Sequence, residues 1–315
     1  MIRLELQLEL SYQVLDADGA DFVFNIHAAR TPHQTVADET LVLNQPVTPD
    51  IGTDVATGTR FMRLHADPGP LTLAYAATVD LMHHRAEPDS LLEVPVRSLP
   101  LDVVPYVYPS RYCQSDRLLK LAFNEFGGLW KGYSRVLAIQ HWVQKRITFA
   151  SNTSNSSTSA VDTLIEQVGV CRDFTHLMIA LCRALNLPAR IATGTDYGAD
   201  PALGPPDFHA YVEVYLGDRW YLFDASGTGI PMGFMRFGTG RDAADVAFAT
   251  IFGGVIAGPP VIRTRAIEGP GLELPAHCRE ALSTTPATPL PTAGTAPASA
   301  SAAGSDPHLL KQFPD

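Results

Sequence analysis

The sequence predicts an α+β fold that begins with an antiparallel β domain and continues with helices and a β-hairpin. Apolar residues occupy every second position from Ile2 to Leu10, the period of a strand with one buried face. Similar short runs follow at 22–26, 40–43 and 71–79. Turn formers such as Asp18-Gly19 separate these runs. Residues 1–100 are therefore predicted to form the β domain, most simply a sandwich.

Composition and charge narrow the class of protein. The chain has 315 residues, of which 46% are hydrophobic, enough for two domains that each have a core. A net charge of −10 argues against nucleic-acid binding, because neutralising phosphates requires clustered Lys and Arg. The charged N-terminal strand lacks the apolar segment of a secretory signal, and no run resembles a membrane-spanning helix. We expect a cytoplasmic protein without membrane partners.

The cysteine pattern indicates reduced thiols. The four cysteines, at 113, 171, 182 and 278, lie far apart and form no CxxC pair. This spacing fits neither a disulfide framework nor a common zinc site. We therefore expect no metal and no cofactor, and free thiols in a reducing compartment.

The middle of the chain changes to a helical period. Prolines at 95, 100, 105 and 109 predict a linker after the β domain. Beyond it, Ser115 is predicted to cap a helix that buries Leu118, Leu119, Ala122 and Phe126, and a second helical pattern runs from Val136 to Ile147. Ser159, followed three residues later by Asp162, has the signature of a third helix start.

Cys171 lies in the first turn of a predicted buried helix. Phe174, Leu177, Met178, Leu181 and Leu185 form its apolar face, and the helix ends before Pro188. Strand patterns follow at 190–193, 209–216 and 219–225, the last two joined by a Gly217-Asp218 turn. His209 opens this hairpin and Asp224 closes it.

The end of the chain has low complexity. From residue 283 onward it consists mainly of Ala, Ser, Thr, Pro and Gly, which bury too little apolar surface to offset the entropy of ordering. We predict three parts: a β domain over 1–100, a second domain over 101–282 and a disordered tail over 283–315.

The placement of Cys171, His209 and Asp224 favours nucleophilic chemistry. A helix N-terminus lowers the pKa of a thiol, and a thiolate is the nucleophilic form. A Gly217-Asp218 turn pairs Leu216 with Arg219, so that Asp224 would be the diagonal neighbour of His209 on one sheet face. The backbones of such neighbours are about 7–8 Å apart, a gap that side chains can bridge. The register therefore permits a Cys-His-Asp triad.

Three segments resemble the signature blocks of the bacterial transglutaminase-like superfamily. They are GVCRDFTHLMIALCRALNLPARIATG (169–194), FHAYVEVYL (208–216) and WYLFDAS (220–226). The β-rich N-terminus is similar to the domain that accompanies this superfamily. The resemblance implies a papain-like transglutaminase core, in which a helix that carries the nucleophile packs on an antiparallel sheet. It implies Cys171 as nucleophile, His209 as base and Asp224 as the acid that orients the base.

Other positions are candidates for substrate binding. Arg172 stands where the family usually has Gln, and could favour the thiolate or an acidic substrate. Trp142 and the loop at 151–160 are candidate oxyanion donors beside the Cys171 backbone N–H. Tyr197, Asp196 and Asp207 flank the path to His209 and are candidates for lining the cleft. Cys182 and His176 are predicted to be structural, and Asp173 to cap backbone N–H groups or pair with an Arg.

The resemblance leaves three functions open. The first is a thiol hydrolase that cleaves peptide or isopeptide amides through a thioester acyl-enzyme, with a peptide or protein as substrate. The second is acyl transfer to an amine, the transglutaminase reaction, which uses the same residues. The third is a binding module in which Cys171 is unreactive.

Overall fold

A computed structural model describes residues 1–198 and 206–288. Its first strands are β1 (Ile2–Val14), β2 (Ala20–Phe24), β3 (Gln34–Leu43), β4 (Asp50–Thr53), β5 (Arg60–Ala66), β6 (Gly69–Leu81) and β7 (His84–Ala86). The α-helices are α1 (Ser115–Phe126), α2 (Tyr133–Arg146), α3 (Ala160–Glu166), α4 (Cys171–Ala184) and α5 (Ala243–Val246). The later strands are β8 (Thr148–Phe149), β9 (Val168–Gly169), β10 (Ala189–Asp196), β11 (His209–Leu216), β12 (Arg219–Phe223), β13 (Phe234–Gly240), β14 (Ala249–Phe252), β15 (Val255–Ala257), β16 (Val261–Ala266) and β17 (Ala281–Ser283).

Two antiparallel sheets form the N-terminal part, which confirms the predicted β domain. One sheet has the order β15-β1-β6-β3, with β16 also paired to β1, and the other has the order β14-β2-β5-β4. Alternate residues of β1, such as Leu4, Leu6 and Leu8, point into a common core with Phe22 and Phe24. The period of two in the sequence therefore corresponds to one buried face.

The chain returns to these sheets near its other end. β14 pairs with β2, while β15 and β16 pair with successive halves of β1. These three strands lie within the predicted second domain of 101–282. The division of the chain at residue 100 stays a prediction. The pairing of β14–β16 with β1 and β2 shows that residues 249–266 complete the sheets of the first part.

The second part is built around α4, and its architecture confirms the predicted α+β core. A four-stranded sheet of order β12-β11-β10-β13 packs against α4, which α1, α2 and α3 also contact. The predicted apolar face of α4 is buried. Ser159 and Asp162 form the expected capping box of α3. Among the described residues, no helix is long and apolar enough to cross a membrane.

Two local predictions in the helical region are wrong. The N-cap of α1 is Gln114, and Ser115 is a buried first-turn residue without a capping hydrogen bond. Leu119 faces outward with half of its surface exposed. The helix therefore buries a narrower stripe than the sequence suggested, consisting of Leu118, Ala122 and Phe126.

The proline-rich segment after the β domain is packed, and the prediction of a loose linker is wrong. Val94, Leu99 and Val103 are buried in a cluster with Tyr215 and Trp220 of the β11–β12 hairpin. Prolines exclude a regular helix or strand here, and short 3₁₀ turns form instead. The apolar residues between the prolines still bury their side chains against the hairpin.

Residues 283–288 also differ from the predicted tail. β17 pairs with β7, and Ser283 and Thr284 are almost completely buried. The Tyr215 hydroxyl donates to the carbonyl of Thr288 at 2.9 Å. Small polar residues are ordered here because folded strands satisfy their hydrogen bonds. The remainder of the predicted tail, 289–315, lies outside the described residues.

A buried triad of charged residues connects three strands of the four-stranded sheet that packs against α4. Glu213 on β11 is fully buried and pairs with Arg190 on β10 at 2.7 Å and with Arg236 on β13. Arg236 also donates to the Thr284 hydroxyl at 2.6 Å. The Arg190 guanidinium stacks on Trp220, 4.2 Å from the ring centroid. Both guanidinium groups thus share the Glu213 carboxylate as a counter-charge inside the core, where an unpaired charge would be costly.

Replacing Glu213 with Gln should destabilise the protein strongly. The substitution leaves two buried guanidinium groups without a counter-charge, and we expect a loss of about 3–5 kcal/mol in the free energy of unfolding. Glu5→Gln is the control, because it removes an exposed cross-strand pair with Arg265 and should cost at most about 1 kcal/mol. Urea unfolding measures both. Equal small losses in the two variants would contradict the assigned role of the triad.

Candidate active site

The register of the β11–β12 hairpin matches the prediction. Leu216 pairs with Arg219 and Val212 with Phe223 across a turn in which Gly217 has a φ of 59°. The first residue of β11 is His209, and Asp224 directly follows β12. The two side chains therefore belong to one face of the hairpin, as its two-residue turn predicted.

Cys171 begins α4 beside the start of β11. Its Sγ donates to the carbonyl oxygen of Phe208 at 3.8 Å, and Thr175 of the next turn donates to the carbonyl of Ala210 at 3.0 Å. These two contacts tie the first turns of α4 to the residues on either side of His209. The Asp173 N–H already donates to the Val170 carbonyl at 2.8 Å, whereas the Cys171 N–H, at the first helical position, has no intrahelical acceptor and can serve an oxyanion.

Asp173 shapes the entry into α4. Its Oδ2 accepts a hydrogen bond from the Val170 N–H at 2.9 Å, and its Oδ1 accepts from Arg172. A Cβ on Gly169 would lie 2.7 Å from the Asp173 Cβ, so the glycine allows this close approach. The predicted capping and ion-pairing roles of Asp173 are both confirmed.

His209 and Asp224 form a buried pair. The imidazole Nε2 lies 3.4 Å from Asp224 Oδ1. Ser226 donates to Oδ1 through its N–H and its hydroxyl, and Gly229 donates its N–H to Oδ2 at 2.8 Å. Gln144 of α2 donates to the Asp224 carbonyl at 3.0 Å. The carboxylate is therefore fixed by its own loop, and it can in turn fix the imidazole.

A second carboxylate, Asp196, lies on the other side of the imidazole. Its Oδ2 is 3.2 Å from His209 Nδ1, and its Oδ1 accepts from the Tyr211 hydroxyl at 3.0 Å. Gly194 of β10 is paired with His209, so Asp196 is a diagonal neighbour on the face that His209 occupies. The sequence indicated Asp196 only as a cleft residue. Asp196 lies two residues after Gly194 and therefore on the same face of β10, which the sequence does indicate. The sequence does not give the β10–β11 register, because no short turn connects these two strands.

These contacts change the ionisation of the site. Burial opposes the charge on His209, but Asp196, Asp224 and Asp207 outweigh it and raise the pKa of His209 to about 9. Burial raises the pKa of Asp196 to about 6, against the pull of the imidazole. The pKa of Asp224 is lowered, since hydrogen bonds from His209, Gly229 and Ser226 outweigh its burial.

The pKa of the Cys171 thiol is shifted in the direction that favours its neutral form. Burial raises the pKa of its thiol to about 12, and the nearby carboxylates of Asp207, Asp224 and Asp196 add to the effect. At neutral pH the site therefore pairs a neutral thiol with an imidazolium. Within the part of the chain that the structure describes, the Sγ hydrogen bond is made to Phe208 and not to the imidazole.

The other candidate residues lie around the site in different settings. Arg172 directs its guanidinium to Asp173 and to the Asn155 carbonyl, so its charge is already partnered. Trp142 donates its indole N–H to Glu125 at 3.2 Å. Tyr197 packs on the core of the N-terminal sheets. Cys171 thus contacts Phe208, the residue before His209, and His209 pairs with Asp224, whereas Arg172, Trp142 and Tyr197 make other contacts.

The two residues predicted to be structural are buried. Cys182 has no exposed surface and lies in the core around α4. His176 stacks on Tyr112 with ring centroids 5.0 Å apart, and its Nε2 accepts from the Ala243 N–H. Both predictions are confirmed by this packing.

Comparison with known proteins identifies the family. Residues 122–225 match a family model described as the transglutaminase-like superfamily, and residues 2–102 match the bacterial transglutaminase N-terminal domain. A candidate cysteine protease from Cytophaga hutchinsonii, known from its crystal structure, is 39% identical, with a TM-score of 0.83. The match covers 90% of this chain and 97% of that one. The chain belongs to the transglutaminase-like superfamily.

More distant relatives share a smaller region. An uncharacterised protein of Mycobacterium leprae is 28% identical over 116 residues, which are 36% of this chain and 42% of that protein. An uncharacterised protein of Mycobacterium tuberculosis is 31% identical over 110 residues, which are 31% of this chain and 35% of that protein. The chain thus spans less than half the length of these curated relatives.

The raised pKa of His209 predicts a pH-dependent stability. The imidazolium stabilises the folded state fully below the ordinary histidine pKa of about 6.5, and this stabilisation is lost as the pH rises towards about 9. We expect the free energy of unfolding to fall by on the order of 3 kcal/mol across this window. Urea unfolding at a series of pH values measures it. His209→Asn should flatten the slope, and the exposed control His277→Asn should keep it.

Proposed function

We propose that the protein is a thiol hydrolase that cleaves peptide or isopeptide amide bonds through a Cys171 thioester. The observation that carries this proposal is the His209–Asp224 pair at the end of a hairpin, next to a cysteine at a helix N-terminus. A nucleophile, a base and a group that orients the base are the parts that thiol acyl chemistry requires. Membership of the superfamily supports the same reading.

The first half of the reaction forms the acyl-enzyme. Neutral His209 accepts the Cys171 thiol proton, and Sγ attacks the carbonyl carbon of the amide. The Cys171 backbone N–H donates to the oxyanion of the tetrahedral intermediate. The imidazolium then gives its proton to the departing amine as the C–N bond breaks, which leaves the thioester.

The second half releases the acid. His209 accepts a proton from water, whose oxygen attacks the thioester carbonyl, and the C–S bond breaks with return of the proton to Sγ. Asp224 accepts a hydrogen bond from Nε2 throughout and keeps the ring in place. An amine in place of water would give transfer with the same residues, so the acceptor is what an assay must determine.

We also propose a peptide or protein as substrate and the cytoplasm as the compartment. All four cysteines of the chain are free in the structure, which agrees with a reducing environment. A peptide substrate suits the proposed amide chemistry.

One assay distinguishes the three possible functions. Wild type, Cys171→Ala and the control Cys182→Ala are incubated with casein and a fluorescent primary amine, and both new N-termini and label incorporation are measured. Hydrolysis predicts new N-termini without label, lowered at least about a thousandfold in Cys171→Ala. Cys182 is buried in the core away from solvent, so its alanine variant should keep the activity.

The other outcomes would contradict the proposal. Label incorporation that depends on Cys171 would show a transferase. If neither product forms and iodoacetamide does not modify Cys171 selectively, the protein is a binding module.

A further inference from the structure

The Asp196 carboxylate has no assigned role in the triad, although it contacts the base. Its Oδ2 is buried, has no hydrogen-bond partner among the described residues, and lies 3.2 Å from His209 Nδ1. The Asp196 side chain has 1% of its surface exposed. A buried carboxylate oxygen without a donor is costly, and the imidazole is the polar group in front of it.

The surroundings keep Asp196 at the imidazole. Tyr211 donates to its Oδ1, and the loop that follows Asp224 closes over the carboxylate at Gly229. A Cβ on Gly229 would lie 2.6 Å from both Asp196 Oδ2 and the Tyr211 hydroxyl. The same Gly229 donates its N–H to Asp224. One loop therefore packs against both carboxylates that flank the ring, which makes this an assembled site.

The two ring nitrogens have different partners. Nε2 lies at Asp224, the acid of the proposed triad, so Nδ1 is the nitrogen left to accept the thiol proton. Asp196 lies at Nδ1 and favours a proton on it, whereas a general base needs that nitrogen unprotonated. Asp196 and the Cys171 thiol therefore compete for the same nitrogen.

We propose that Asp196 is a positioning residue that holds a proton on His209 Nδ1 in the resting protein and so restrains Cys171 at neutral pH. This inference rests on the proposed thiol chemistry. Activation is the loss of the Nδ1 proton to bulk water, which leaves a neutral imidazole. That imidazole then accepts the Cys171 thiol proton, and Sγ becomes the nucleophile.

The other titratable groups that face His209 do not duplicate this role. They are Asp207 before β11, Tyr211 on β11 and Asp224 after β12, and the carboxylates of Asp207, Asp224 and Asp196 also act on Cys171 of α4. Asp207 is directed to the Phe208 N–H, and Asp224 is held at the other nitrogen. The charge of Asp196 is the largest single contribution that raises the pKa of His209, while Asp224 contributes through both its hydrogen bond and its charge.

The test compares the wild type, Asp196→Asn and Asp218→Asn. Asn keeps the size of Asp196 and removes its charge, while Asp218 lies half exposed in the β11–β12 turn and serves as a charge-matched control. The rate of Cys171 alkylation by iodoacetamide is measured by mass spectrometry from pH 5 to pH 10. We expect the midpoint in Asp196→Asn to move down by about one unit or more, with about a tenfold faster reaction at pH 7.

A second measurement does not depend on the reactivity of the thiol. Nitrogen NMR of the wild type should show a protonated Nδ1 on His209 at pH 7, and the titration should move to lower pH in Asp196→Asn. An unprotonated Nδ1 in the wild type at pH 7, or a His209 titration that is the same in both proteins, overturns the inference.

The outcomes separate this inference from the proposed function. If Cys171 reacts selectively but its midpoint is unchanged in Asp196→Asn, the restraint by Asp196 is wrong and the thiol chemistry stands. A different outcome is that Cys171 never reacts faster than the exposed Cys278, while the His209 titration still moves to lower pH in Asp196→Asn. In that case the thiol chemistry is wrong, and the effect of Asp196 on the Nδ1 proton stands.

Discussion

The pairing of β11 with its two neighbours is the constraint on which the site depends. His209 contributes to the site only if the registers of β11 with β10 and with β12 bring Asp196 and Asp224 to the same face. A slip by one residue would turn the imidazole to the other side of the sheet. Glu213 opposes such a slip, because any other register would leave it buried without Arg190 and Arg236.

This constraint explains why the protein can bury so many charges together. Three carboxylates lie near one imidazole, and burial penalises each of them. The imidazolium compensates part of this cost, while the loop around Asp224 supplies N–H donors. Strain of this kind is typical of functional sites, where groups are arranged for reactivity at the expense of stability.

Local sequence signals predicted the parts of the site that short connections determine. The Gly217-Asp218 turn sets the β11–β12 register, and the apolar face of α4 places Cys171 at its start. The contact of Asp196 with His209 could not be predicted in this way. It depends on the pairing of β10 with β11, whose connection exceeds the length at which a turn type determines register.

The N-terminal sheets also contain pairings between strands that are distant in sequence, because β14–β16 return to them. These pairings affect the order in which the protein can fold during synthesis. Glu5 and Arg265 form a cross-strand pair although they are 260 residues apart. During synthesis, one edge of β1 therefore remains unpaired until nearly the whole second part has left the ribosome. A strand edge left open this long invites pairing with other chains. That edge is closed only when β15 and β16 pair with β1, so residues 255–266 must be made before this sheet is complete.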